Sequence, residues 1–240
     1  MKSTPAQIRQ RFDQDVERFS NLDTGQAATI DSPLGMELVA RAAAAVTPDA
    51  EDVLDVGCGA GNYTLKFLQA LHRPLAAAPV RVTLIDLSQP MLDRARQRVG
   101  EATAGVITAL QGDVRDLDLG EQRFDVILAA SVLHHLRSDQ EWQDVFAKFH
   151  RTLRPGGSLW IFDLIEHSNP AVHALMWKRY GDYLAGLKDA AYRDHVFAYV
   201  EQEDTPRPLL WQIDALRAAG FRSIDILHKN SVFAAFGGMK

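Results

Sequence analysis

The sequence has a single cysteine, Cys58, so no disulfide can close within the chain, and a reducing compartment, the cytoplasm, is the expectation. It has no apolar run of about 18 residues, which excludes a membrane-spanning helix of ordinary length. It has no surplus of positive charge. Lys and Arg number 26 against 31 Asp and Glu, a formal net charge of -5, which disfavours a duplex-DNA partner held by a general basic field. The first residues, Met1 to Gln14, lack the apolar core of a secretion signal. No internal repeat is visible, and low complexity is confined to the alanines at 42–45.

What is present fits one α/β unit with additions: 240 residues, 47% of them hydrophobic and 24% charged. Residues 4–19 predict a cap helix, with Thr4 as N-cap, Pro5 at the first helical position, and Ile8, Phe12, Val16 and Phe19 at helical spacing. Turn chemistry follows at Asp23-Thr24-Gly25. Pro33 to Val46 predicts an alanine-rich helix whose Leu34, Leu38 and Ala42 would face a sheet. Then apolar runs alternate with helical stretches: strands at 53–56, 80–85, 106–110, 124–129 and 158–163, helices at 62–71, 89–99 and about 140–153. A turn at Pro155-Gly156-Gly157 precedes the fifth strand. Such alternation implies a doubly wound, mostly parallel Rossmann-like sheet covered by helices on both faces.

The rhythm breaks at Glu166. The stretch 166–205 is far too long for a bare connection, since loops typically run about 4–6 residues. A helix starting at Pro170, with Val172, Leu175, Met176, Tyr183, Leu184 and Leu187 on one stripe, and a second helix near Tyr192 to Val200, make it a candidate substrate lid. The chain returns with a helix at 209–219, a stop at Gly220, and two strands, 223–228 and 232–236, whose short connection predicts an antiparallel hairpin. The expected organisation is cap helices over 1–44, a core of 45–165 and 206–240, and the lid between them.

Gly57, Gly59 and Gly61 stand where a buried strand turns into a helix, so a ligand can rest on bare backbone beside free helix N–H groups. The spacing is not that of a dinucleotide site. Asn62 occupies the place of the third glycine, and Asp55 before the loop would repel a pyrophosphate but suit a ligand with a positive centre. Asp86 ends the second strand, where a carboxylate can accept from both hydroxyls of a ribose. Asp113, after the third, can accept from the exocyclic amine of an adenine, with the N–H of Val114 beside it. All three acids fall at the carboxyl ends of successive strands, the edge at which open α/β sheets bind ligands.

The run Val53-Leu54-Asp55-Val56-Gly57-Cys58-Gly59-Ala60-Gly61 resembles motif I of the class I S-adenosylmethionine-dependent methyltransferases. Asp86 is similar to that family's acid after motif I, and Gly112-Asp113 to its motif II. Phe124-Asp125-Val126-Ile127 through Leu133-His134-His135-Leu136 resembles its fourth-strand motif, and Leu153-Arg154-Pro155-Gly156-Gly157 the turn before strand five. The resemblance covers residues 50–165 and 209–237. It implies S-adenosylmethionine as cofactor, S-adenosylhomocysteine as product and a small-molecule acceptor. It places the methionine part at Gly57, Gly59 and Gly61, supported by Asp55. The ribose falls to Asp86, the adenine to Leu87, Asp113 and Val114, and the methionine amine to Ala129 and Ser131. A looser resemblance, in the N-terminal helix, lid and hairpin, is to carboxy-S-adenosylmethionine synthases of tRNA modification. A non-catalytic cofactor-binding protein is a third reading.

Methyl transfer from a sulfonium asks mainly for positioning and exclusion of water, and for a base only if the acceptor must lose a proton. His134 and His135 are the catalytic candidates, though a loop-shaping role is the commoner one for that pair. Asp163, Glu166 and His167 stand at the same edge. His134, His135 and His167 have no metal-ligand spacing, so no metal is expected. The aromatics Phe12, Phe19, Trp177, Tyr180, Tyr183, Tyr192 and Tyr199 are expected mostly in helix cores, with one or two lining the acceptor site. Arg179, Arg193 and Arg207 are expected on the surface.

Overall fold

The computed structural model describes residues 2–21, 25–72 and 78–240. The turn expected at Asp23-Thr24 lies outside the described residues. Helix α1 spans Pro5–Gln14 and starts with a capping box, in which Thr4 and Gln7 satisfy each other's backbone N–H groups. It stops at Asp15 rather than running on to residue 19, and a short helix α2, Val16–Ser20, follows. The single cap helix expected there is therefore two helices. Of its apolar stripe, only Ile8 is fully buried.

Helix α3, Ser32–Val46, buries Gly35, Met36, Val39, Ala40, Ala43 and Ala44. The sheet-facing side expected for it was the wrong one. Leu34 is 43% exposed, and Leu38 and Ala42 are half-buried. The reason is Gly35: a Cβ there would come within 2.6 Å of the Phe162 ring, so the helix approaches the sheet along its glycine and alanines. This helix crosses the boundary expected at residue 44 and packs on the sheet as part of the core.

The sheet comprises β1 Asp52–Val56, β2 Arg81–Asp86, β3 Ile107–Gln111, β4 Phe124–Ala130, β5 Leu153–Leu164, β6 Arg222–Asn230 and β7 Phe233–Met239. Its order is β3-β2-β1-β4-β5-β7-β6. The first five strands pair in parallel, and β7 runs antiparallel to both β5 and β6, which bears out the expected hairpin. Helices α4 Asn62–Ala70, α5 Gln89–Ala102, α6 Asp139–Thr152 and α9 Leu209–Ala218 complete the layers. Two apolar clusters fill the two faces, one around Phe67, Leu84 and Phe162, the other around Trp142, Phe146 and Phe236. Alternate residues of each strand serve opposite clusters, as the pleat requires.

The turn expected at Pro155-Gly156-Gly157 is instead part of β5. The pairing steps from Phe124–Leu153 to Val126–Ser158, so the intervening residues bulge out while strand geometry continues on either side. Arg154 uses this bulge to bind Asp125 at 2.9 Å and Asp52 at 2.7 Å, and Asp52 also takes Arg81 at 2.6 Å. This ion network ties β1, β2, β4 and β5 at the edge opposite the glycine loop. Much of the fourth- and fifth-strand sequence pattern thus serves the sheet.

After β5, α7 spans Pro170–Leu187 and α8 Ala190–Glu203. Asn169 caps α7 by accepting from Ala171 and Val172. The expected stripe of α7 holds only in its middle: Leu184 is buried with Tyr180 and Gly181, Met176 and Tyr183 are partly buried, and Val172, Leu175 and Leu187 are exposed. No helix among the described residues is long and apolar enough to cross a membrane.

Candidate functional site

The glycine loop follows β1 with three left-handed glycines, φ 64° at Gly57, 49° at Gly59 and 82° at Gly61, where a side chain would strain the backbone. A Cβ on Gly57 would come within 2.5 Å of Val132, whereas one on Gly59 would meet nothing within 4 Å. Gly57 is there for close packing against the turn after β4. Gly59 faces open space. Asp55, fully buried beneath the loop, accepts from the Thr64 hydroxyl at 2.6 Å. Burial pushes its carboxyl up to about 6 despite that bond.

Asp86 accepts from the N–H of Gly59 and from that of Ser88, each at 2.9 Å. Burial raises its pKa, and those N–H groups offset part of the rise. It therefore braces the glycine loop and the start of α5 as well as facing the cavity; each carboxylate oxygen retains a second lone pair for a ligand hydroxyl. Arg98 reaches the same loop from α5, donating to the Ala60 carbonyl at 2.6 Å and to Asn62 at 2.7 Å.

Asp113 is held by Arg115, whose Nε and Nη2 donate to its two oxygens at 3.0 and 2.6 Å. Burial alone would raise the Asp113 pKa, but the guanidinium holds it below the usual carboxylate range. Lys148 fixes the backbone beyond, donating to the carbonyls of Val114, Arg115 and Leu117 at 2.8, 2.6 and 3.0 Å.

Two adjoining cavities run along the carboxyl edge of the sheet here. One is lined by Asp55, Gly57, Gly59, Asp86, Leu87 and Ser131. The other is lined by Asp86, Leu87, Asp113 and Val114. Together they bring eight of the ten expected cofactor residues to one trough. Gly61 lines neither and serves as the N-cap of α4. The Ala129 side chain points into the core, fully buried, and the wall at that place is made by Ala130, Ser131 and Val132. Ser131 adopts φ 52°, and such left-handed non-glycine backbone concentrates at functional sites. Its N–H is held by the Phe162 carbonyl at 2.8 Å.

A further cavity opens beside this trough, between α1, α2, α7 and α8. It shares Phe12, Phe19, Gln26 and Ser131 with the glycine-loop cavity. Five of the seven singled-out aromatics line it: Phe12, Phe19, Tyr180, Tyr192 and Tyr199; Trp177 and Tyr183 do not. Arg179, Arg193 and Arg207 also stay outside it, bound to Asn230, Asp194 and Asp139. The arginines that do line it are Arg11 and Arg18. Arg11 lies over the rings of Phe12 and Tyr199, 4.2 and 4.1 Å from their centroids, and pairs with Glu203 at 2.8 Å.

At the junction stand His134 and His135, on a 3-10 turn, Leu133–His135, after β4. The Nδ1 of His134 contacts Asp163, whose other oxygen accepts from the Leu133 N–H at 2.8 Å. Asp204 closes the group, with Oδ1 3.6 Å from His134 Nε2 and 3.3 Å from His135 Nδ1. Burial alone would lower the His134 pKa, but Asp163 and Asp204 push it up to about 9. Burial and the His134 charge lower that of His135. Burial would raise Asp204, but the two imidazoles hold it below the usual range. Asp204 was not among the sequence candidates, and nothing in its own neighbourhood marks it. His167 is not in this cluster; its ring lies 6.4 Å from that of His173. Glu166 is engaged through its backbone with Arg207 and Pro208.

Residues 53–157 match the family model of the methyltransferase domain. Over that stretch the chain is similar to the class I S-adenosylmethionine-dependent methyltransferases. Over 125 residues the chain is 34% identical to an uncharacterized methyltransferase of Synechocystis, covering 52% of each chain. Over 111 residues it is 32% identical to the dTDP-3-amino-3,4,6-trideoxy-alpha-D-glucopyranose N,N-dimethyltransferase of Streptomyces venezuelae, covering 46% of this chain and 41% of that one. The chain spans about half the length of the curated relatives it matches. In fold it is similar to human N-acetylserotonin methyltransferase in complex with S-adenosylmethionine, at TM-score 0.61 and 17% identity, over 97% of this chain and 56% of that one. It is also similar to an O-methyltransferase of Nostoc punctiforme described from its structure, at TM-score 0.64 and 16% identity, over 95% and 60% of the two chains. The methyltransferase domain implies S-adenosylmethionine as cofactor. The open face over Gly59 and the trough from Asp55 to Val114 suit that group.

Proposed function

We propose that this chain transfers a methyl group from S-adenosylmethionine to a small-molecule acceptor held in the aromatic cavity under α7 and α8. The observation that carries this is the meeting of two cavities at Phe12, Phe19, Gln26 and Ser131. One side has the glycine loop and its acids; the other is lined by rings and closed by helices, the composition of a small-molecule pocket. The N,N-dimethyltransferase of an amino sugar among the relatives supports an acceptor of this size. The carboxy-S-adenosylmethionine synthase and non-catalytic readings draw no support from the relatives named above.

The bound cofactor would supply an activated methyl group on a sulfonium, with Asp86 on its ribose, Asp113 and Val114 on its adenine, and the glycine loop on its methionine part. Asp55 beneath the loop adds negative charge near the positive centre. The helices α7 and α8 would exclude water and align the acceptor, which is the larger part of catalysis for an in-line displacement. His134 and His135, at the junction of the two cavities, would help position the reacting atom of the acceptor. The test is formation of S-adenosylhomocysteine with a panel of hydroxyl, amine and carbon acceptors, paired with calorimetry of cofactor binding. Failure to bind S-adenosylmethionine at all would overturn the proposal.

A further inference from the structure

His134, His135 and Asp204 each offer one donor atom, and these atoms lie within 4.8 Å of one another. The Oδ1 of Asp204 is buried and accepts no hydrogen bond, although two ring nitrogens stand 3.3 and 3.6 Å away. Buried polar atoms are nearly always hydrogen-bonded, and here a carboxylate oxygen has two imidazoles at ion-pair distance but no hydrogen bond from either, an arrangement that an ion held between the three would complete. From this geometry we propose that the three residues bind a divalent transition-metal cation at the wall of the acceptor cavity.

Distances support the assignment. Donors placed tetrahedrally around an ion at about 2.0–2.1 Å are about 3.4 Å from one another. The two separations from Asp204 Oδ1 fall on either side of that value. The contact behind His134 also fits, because a metal-bound histidine ordinarily gives its other ring nitrogen to a carboxylate. His134 does so with Asp163, which the Leu133 N–H holds in place at 2.8 Å. Asp204 is positioned from the other side: the Thr205 N–H donates to the His134 carbonyl at 2.7 Å, and Arg137 binds the Thr205 hydroxyl at 2.9 Å. Two imidazoles and one carboxylate suit ions such as Zn2+ or Mn2+, which would also neutralise the carboxylates of Asp163 and Asp204.

His134 and Asp204 both line the acceptor cavity, so an open coordination position faces it. Three protein ligands and an open position are the arrangement of reactive rather than purely structural metal sites. This part rests on the proposed function: the acceptor would present an oxygen to the metal. This proposal departs from the sequence expectation of no metal. Residues 134 and 135 are adjacent, but the third ligand is 69 residues on, with no spacing that a sequence displays.

The test is the metal content of the tag-free full chain, together with calorimetric titration of Zn2+ and Mn2+ into chelator-treated protein. We expect about one ion per chain, and roughly tenfold or greater loss of affinity in both Asp204→Asn and His135→Gln. Asp163→Asn, which changes no ligand but the carboxylate behind His134, should weaken binding by about 10–100-fold. Circular dichroism identifies variants that fail to fold, and the near-isosteric Asp204→Asn is chosen to fold. Neither ion binding the folded wild type, or Asp204→Asn binding as the wild type does, would overturn the site. Cofactor binding measured on the same samples keeps the two proposals apart, since loss of one leaves the other standing.

Discussion

The Thr64 hydroxyl donates to Asp55 across 2.6 Å, tying the helix after the glycine loop to the acid before it. That acid is buried and its pKa is pushed up to about 6. In the unfolded chain it titrates near 3.8, so the fold prefers the protonated form. The resulting penalty is present above about pH 6 and disappears as pH falls toward 4; its size is about 3 kcal/mol. Asp55→Asn should therefore stabilise the protein by about 1–3 kcal/mol at pH 8 and by almost nothing at pH 4. Urea denaturation at the two pH values checks this, and an equal effect at both would contradict it. The same variant should bind S-adenosylmethionine more weakly at pH 8, because it removes negative charge beside the positive centre.

Asp86 holds two backbone N–H groups, so its loss touches the fold as well as the ligand. Asp86→Ala should lower stability by about 1–3 kcal/mol, the cost of stranding buried donors. It should also weaken cofactor binding by at least about tenfold, as loss of charge-assisted bonds to the ribose requires. Calorimetry and thermal melts separate the two. Unchanged affinity would remove Asp86 from the ribose site.

Gly57 faces Val132 with no room for a methyl group. Gly57→Ala is expected to cost about 2 kcal/mol or more, part from steric overlap and part from its φ of 64°. Adding Val132→Ala should recover the steric part but not the backbone part. A double-mutant cycle by chemical denaturation measures the coupling, and strict additivity would show that the clash is relieved elsewhere.

Arg11 joins α1 to the end of α8 through Tyr199 and Glu203. Arg11→Met should loosen the acceptor cavity while leaving the cofactor trough alone. We expect acceptor kcat/KM to fall by about tenfold, cofactor affinity to stay within about twofold, and proteolysis within 166–205 to accelerate. A fall in cofactor affinity as large as that in kcat/KM would contradict the division of labour. Deleting 166–205 outright is the wrong experiment. Tyr180 packs edge-on against Phe233 at 5.4 Å between centroids, and removing the helices would bare that core.

The strands and the trough were legible because their signals are local. A glycine loop between an apolar run and a helix, and an acid at the end of each of two further strands, are statements about neighbours in sequence. Eight of ten expected cofactor positions line the trough for that reason. Ala129 missed by one residue, because in a strand a step of one exchanges the cavity face for the core face. Helix α3 was assigned the wrong face because a run of alanines has almost no asymmetry to read, and the decision lay with a glycine against Phe162. In α7, Val172, Leu175 and Leu187 extend the stripe in sequence, yet they stay exposed while Met176 to Leu184 pack on neighbouring elements.

By itself the sequence determined the alternation of strands and helices, the glycine loop and the acids that follow each strand, since these depend on periods of two and 3.6 and on turn chemistry. Only the tertiary structure decided who stands beside whom. Arg115 on Glu141, Lys148 on the Val114 loop, Arg11 on Glu203, and Asp204 facing His134 and His135 join different elements or separate turns. Such contacts follow from how layers pack, and no local pattern encodes them. The cofactor trough belongs to the first kind of information. The acceptor cavity and the histidine–aspartate cluster on its wall belong to the second.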